Sequence, residues 1–308
     1  GVKLARCRVH SAFISRSTAA SNSGCCAGGT RFDMNRKHYQ LISKTVTYLL
    51  LLAGTAVVLL PFWYMLITSL KPQAFIFEMP PRLWPSAATL TNYRRALQTD
   101  QFGLYFLNSL FVAVTSTGST LVVSALMAYA FARLKFPGKE FLFYVLLTGM
   151  MVPPVMLIIP QFIVSKYLGL LNRHLGLILV YITMNLSMQT FLLRGYFEGI
   201  PQDIEDAALV DGASRWTIFW RIVMPLSRPG LAVVTIFTFL FSWEEFPWAH
   251  VAITETRKRT LPIAIALFQS QHLTEWGQVF AASIVGLIPV VIVFAVFQKY
   301  FIRGIATS

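Results

Sequence analysis

The sequence predicts an all-α membrane protein with six transmembrane helices and a short helical elbow on the cytoplasmic side. Three observations point there. Of 308 residues, 56% are hydrophobic and 13% charged, where soluble domains carry about 25% charged residues. Six apolar segments, at about 45–70, 105–132, 140–164, 175–193, 230–253 and 280–301, follow one another along the chain. Between the fourth and fifth lies a stretch too polar to span a bilayer, "DAALVDGASRWTIFWRIVMP", from Asp206 to Pro225. Backbone groups in lipid must be paired within their own segment, so each apolar run is read as a helix.

Residues 1–38 are set apart as an N-terminal extension, and 39–308 form the membrane domain. The opening stretch is rich in Ser, Arg, Gly and Ala, its first acid is Asp33 and its first methionine is Met34. It is read as unstructured, with the natural start near Met34. An organellar transit peptide is the alternative, since Arg and Ser without acid is that signature. The three cysteines, Cys7, Cys25 and Cys26, all lie here and show neither a disulfide framework nor zinc spacing.

The first segment is about 39 Å long at 1.5 Å per residue, enough to cross ~30 Å of hydrocarbon with tilt. The loop 71–103 after it carries the proline-stiffened "EMPPRLWPS". The second segment shows Gly118, Ser124, Ala125 and Ala128 near helical spacing; small faces let membrane helices approach closely, so these form a packing surface. The third contains Pro153, Pro154 and Pro160. The fourth contains Asn185, Ser187 and Gln189, polar groups that pair with a neighbouring helix or meet a solute.

The fifth segment holds Trp243, Glu244 and Glu245 about 14 residues in, roughly 20 Å from its start. An acid at that depth costs a few kcal/mol unless it faces protein or water. Two readings stand. Either Trp243, Glu244, Glu245 and Asn185 line a solute path, with acceptors for sugar hydroxyls and the indole stacking on a ring face, or the helix ends at Pro247 and both acids sit in the outer interface.

Basic residues orient the chain. Arg31, Arg36, Lys37 and Lys44, then Arg133, Lys135 and Lys139, then Arg194, Arg215, Arg221 and Arg228, and finally Lys299 and Arg303 fall on one side, outnumbering those opposite. That bias places both termini in the cytoplasm. The net charge of +13 is scattered singly between apolar runs, so nucleic acid is not the expected partner; anionic membrane lipid and an acidic protein partner are.

In the loop between segments four and five, Pro201 is followed by Asp203, Glu205 and Asp206, acids suited to a helix N-terminus. Ala207, Ala208 and Leu209 continue that short helix. Gly212 permits a backbone turn most residues avoid, and Ser214 can cap a second helix. There Trp216, Phe219, Trp220 and Val223 fall at i, i+3, i+4 and i+7, predicting one apolar face. Pro225 and Pro229 close the unit. The pattern is a compact helix–turn–helix, or else an amphipathic connector in the lipid interface.

The spacing Asp206-Ala207-Ala208, Gly212, Ile222, Met224-Pro225 resembles the EAA motif of permease subunits of binding-protein-dependent ABC importers. Asp206 stands for Glu and Met224 for Leu. "YAFARLKFPGK" (129–139), "LGLLNRHLGLIL" (168–179) and "FSWEEFPWA" (241–249) are similar to the carbohydrate-importer branch, the group like the second maltose permease subunit; that branch has tryptophan–asparagine–acid where this chain has Trp243-Glu244-Glu245. The likeness covers about 40–305. It implies the type I ABC importer permease fold in a bacterial inner membrane, and a coupling helix at Asp206, Ala207, Ala208, Gly212, Ile222 and Pro225 that docks on a cytoplasmic ATPase. It also implies a pair of ATPase subunits, a second permease subunit and a solute-binding protein as partners.

The chain has no GxxxxGK[ST], HExxH or GxSxG motif, and His10, His38, His174, His250 and His272 are far apart. No catalysis, cofactor or metal is therefore expected of the chain itself, and ATP hydrolysis falls to partners. The competing functions are a secondary transporter, which would need ionisable residues within its helices and internal repeats, and a membrane assembly protein without transport.

Overall fold

The computed structural model describes residues 29–306 apart from 81, 83, 86, 99–100 and 270–273. The reading of residues 1–28 thus lies outside the described residues, while 29–38 belong to a helix. The chain divides into two compact units, one up to Trp63 and one from Tyr64 onward; the contacts discussed below lie in the second.

Thirteen α-helices are described. In order they are α1 Gly29–Ser69, α2 Thr91–Gln98, α3 Phe102–Arg133, α4 Lys139–Thr148, α5 Ile158–Tyr167, α6 His174–Glu198, α7 Gln202–Val210, α8 Arg215–Ile218, α9 Met224–Leu226, α10 Arg228–Glu244, α11 Pro247–Ala252, α12 Leu261–Leu267 and α13 Trp276–Ala306. Four helical stretches are long and apolar enough to cross a membrane: Ile42–Ser69, Phe102–Arg133, His174–Glu198 and Trp276–Tyr300. A fifth arises if the bent pair Arg215–Leu226 and Arg228–Glu244 is taken as one span.

Two of the six expected segments are not single helices. The third, expected over 140–164, splits into α4 and α5 with a turn and a 3-10 stretch at Pro154–Leu157 between them. Pro153 and Pro154 lack the N–H groups a helix interior needs, so the ladder stops there; Pro160 falls in the first turn of α5, where that lack is harmless. The fifth, expected over 230–253, ends at Glu244, and α11 starts afresh at Pro247.

α3 is the central helix, packed along α6 and α10, and α10 also lies along α13. The expected small face of α3 is realised: Ser124, Ala125 and Ala128 have no exposed surface. Val112 of α3 joins Leu177, Tyr181 and Trp248 in one apolar cluster, and Ala125 and Ala128 join Leu193, Phe197, Ile218, Phe219 and Val223 in a second. Arg194 of α6 holds α4 by pairing with Glu140 at 3.2 Å while also pairing with Glu198 at 2.7 Å, its guanidinium 4.0 Å from the centre of the Phe143 ring.

Candidate functional site

α7 is an amphipathic helix whose inward side is small. Glu205, Ala208 and Leu209, at i, i+3 and i+4, are its inward positions: Glu205 is fully buried, and the other two pack against the second apolar cluster. Asp203, Asp206, Ala207 and Val210 face outward and are exposed. Of the expected docking residues, Asp206, Ala207, Gly212 and Pro225 are therefore exposed, while Ala208 and Ile222 are half-buried. Asp206 and Ala207 are brought together on one open face; Ala208 is turned to the body of the protein.

Gly212 ends α7 with φ +82°. The Gly212 N–H donates to the Leu209 carbonyl at 3.0 Å and the Ala213 N–H to the Ala208 carbonyl at 2.9 Å. These two bonds close the helix in a left-handed cap, a conformation that residues with a Cβ adopt only under strain. Ser214 caps the next helix, its Oγ accepting from the Thr217 N–H at 3.2 Å.

The aromatic face of the second helix differs from expectation. Ile218, Phe219 and Val223 are buried, whereas Trp216 and Trp220 are 61% and 40% exposed. The reason is a π turn at Phe219–Val223. A π turn takes more residues per turn than an α-helix, so the i, i+3, i+4, i+7 phase slips and Ile218 takes an inward place. Phe219 sits 5.1 Å from Tyr129 of α3, ring centre to ring centre. The unit Arg215–Leu226 meets α10 at a 78° bend.

Glu205 is the feature that the sequence reading missed. Its Oε1 lies 2.6 Å from Arg133 Nε, and the two side chains are 1% and 9% exposed. Arg133 Nη2 also donates to the Phe197 and Ile200 carbonyls at 2.7 and 2.6 Å. The Tyr129 hydroxyl donates to Glu205 Oε2 at 3.4 Å, and Arg215 stands 3.9 Å away. Glu205 is read from sequence as a dipole-complementing acid; its burial instead makes it half of an ion pair. The available signal was its place three and four residues before the inward Ala208 and Leu209.

The solute-path candidates do not form one cluster. Trp243 is 4% exposed; its Nε1 donates to the Gly286 carbonyl at 3.0 Å, and its ring packs edge-on to Phe106 and stacked on Phe239. Glu245 follows the end of α10 and caps α11, accepting from the Trp248 and Ala249 N–H groups at 2.6 and 3.0 Å and from the Tyr181 hydroxyl at 2.7 Å. Asn185 is buried and donates to the Tyr181 carbonyl of its own helix at 2.9 Å. Glu244 is exposed. It lies on the lining of two cavities, one of about 260 Å³ with Met184, Phe241 and Glu245, the other of about 350 Å³ with Trp243, Ser283 and Gly286. Among the described residues, no group of three or more His, Cys, Asp or Glu side chains could hold a metal.

Known proteins match both this sequence and this fold. Residues 120–307 match the family model described as binding-protein-dependent transport system inner membrane component. The diacetylchitobiose uptake system permease protein NgcG of Streptomyces coelicolor is 35% identical over 256 residues, covering 82% of this chain and 84% of that protein. The trehalose transport system permease protein SugB of Mycobacterium tuberculosis is 35% identical over 253 residues, covering 81% and 91%. A crystal structure of a bacterial ABC transporter involved in the import of the acidic polysaccharide alginate has a chain that superposes with a TM-score of 0.73 at 26% identity, covering 85% of this chain and 98% of that one. An all-helical fold with apolar spans, a match over most of its length and relatives that are ABC permeases lead to one conclusion: the chain belongs to the family of binding-protein-dependent transport system inner membrane components, the membrane permeases of ABC transporters.

Proposed function

We propose that this chain is the permease subunit of an ATP-driven importer for a sugar or sugar-like solute, with both termini in the cytoplasm. In this reading α7 and the turn at Gly212 dock on a separate ATPase subunit, a second permease completes the pathway, and an extracytoplasmic binding protein delivers the solute. The observation that carries it is the two-sided character of α7: Asp206, Ala207 and Gly212 are exposed while Glu205, Ala208 and Leu209 are held by the protein body. A rigid element with one face anchored and one face open suits the passage of a displacement between subunits. The solute class is supported by the relatives, whose names specify diacetylchitobiose, trehalose, trehalose/maltose and sulfoquinovosyl glycerol.

For the solute path, Glu244 is the residue proposed to meet solute hydroxyls, since it is exposed on two cavities. Trp243, Glu245 and Asn185 contribute by fixing the walls around it. Co-purification with the candidate ATPase tests the reading. Ala207→Arg places a long cation on the open face and Gly212→Pro forbids the left-handed turn; each is expected to abolish ATPase binding while the protein still inserts. Retained binding in both variants, or solute uptake in vesicles that proceeds without any ATPase, would overturn it and favour a secondary transporter.

A further inference from the structure

We propose that Arg133 and Glu205 form the joint through which the elbow moves α3 and α6 as one body, carrying a displacement from α7 to the turn at Thr256–Lys258. This rests on the reading of α7 as the ATPase docking element. Arg133 is the last residue of α3. Its one side chain reaches three elements: its own helix, the carbonyls of Phe197 and Ile200 at the C-terminal end of α6, and Glu205 of α7. A cation on those carbonyls also complements the negative end of the α6 dipole.

The other inward contacts of α7 are Ala208 and Leu209, with Ala213 just beyond, packed on an apolar cluster. Apolar contact is non-directional and permits sliding. An ion pair at 2.6 Å between side chains 9% and 1% exposed fixes both distance and direction, and water is largely kept from screening it.

The opposite ends of the same two helices are tied as well. Asn108 Nδ2, near the start of α3, donates to the Arg257 and Arg259 carbonyls at 2.9 and 3.0 Å. His174 Nε2, at the start of α6, donates to the Lys258 carbonyl at 3.1 Å. α3 and α6 are thus stapled to each other at one end by Arg133 and to a common turn at the other. α3 has 32 residues and spans about 48 Å at 1.5 Å per residue. A push received at Glu205 therefore has a continuous path of packed helix and polar bonds to residues 257–259.

The experiment uses the assembled transporter in proteoliposomes and measures ATP hydrolysed and solute moved together. Glu205→Gln and Arg133→Lys are expected to keep ATPase binding and hydrolysis but to lower solute moved per ATP by about tenfold, while Glu205→Asp keeps most of the ratio. A merely structural pair would lower assembled amount and leave that ratio unchanged, which would overturn the joint. In parallel, with the pair intact, spin labels at Gln202→Cys and Lys135→Cys report the α7–α3 separation with and without ATP. The separation is expected to stay constant; a change between the two states would overturn the joint even if the pair variants fail to assemble. Wild-type complex that neither binds the ATPase nor hydrolyses ATP would sink the docking reading itself, a result distinct from either of these.

Discussion

Glu205 and Asp206 are neighbours in α7, and Glu244 and Glu245 are neighbours where α10 stops. In each pair one carboxylate is engaged by the protein and the other is open to its surroundings. Glu205 pairs with Arg133 and Glu245 holds two backbone N–H groups and the Tyr181 hydroxyl. Asp206 and Glu244 are exposed. Consecutive residues on a helix point about 100° apart, so both acids of an adjacent pair cannot aim inward together. The lesson is that an acidic doublet in a membrane protein is two residues with two jobs, one holding an element in place and one facing a ligand or partner.

The sharpest way to break the comparison is at Glu205. Glu205→Ala leaves Arg133 buried without its counter-charge and should lower stability by about 3–5 kcal/mol, read as thermal unfolding of the detergent-solubilised protein. Glu245→Ala should follow at about 1.5–3 kcal/mol, because its acceptors serve the N-terminus of a six-residue helix that has no other cap. An equal, negligible effect at both positions would dissolve the division between holding and facing acids.

The exposed members should behave oppositely. Asp206→Ala is expected to change stability by no more than about 0.5 kcal/mol, yet to weaken ATPase binding about tenfold, measured by titration of the purified partner. Glu244→Gln is expected to be just as silent in unfolding and to shift the apparent affinity for solute by roughly two- to tenfold in vesicle uptake. A large loss of stability at Asp206 or Glu244 would reveal hidden engagement and remove the contrast.

Much of the fold was legible because its signals are local. Apolar length marked the spans, Gly212 marked the turn, and Ser214 marked the cap that Thr217 uses. The breaks were partly legible: Pro153 and Pro154 interrupt the third segment, and Pro247 restarts the chain after Glu245. What could not be read depends on partners distant in sequence. Arg133 and Glu205 are 72 positions apart and meet only because α3 and α6 pack side by side. Trp243 reads as a ring-stacking surface until Gly286, on another helix, is seen to accept its N–H. The slip at Trp216 and Trp220 came from assuming 3.6 residues per turn throughout, which the stretch Phe219–Val223 does not obey.

That wider turn carries a consequence of its own. It amounts to a single surplus residue lodged in an otherwise regular coil, and the chain downstream of it is rotated accordingly. Removing one residue from 219–223 would rewind everything that follows relative to Trp216, whereas swapping side chains there would not. Length, and not only chemistry, is therefore under constraint in this stretch: a shortened chain should misalign the tryptophans and Pro225 even if every remaining side chain were kept.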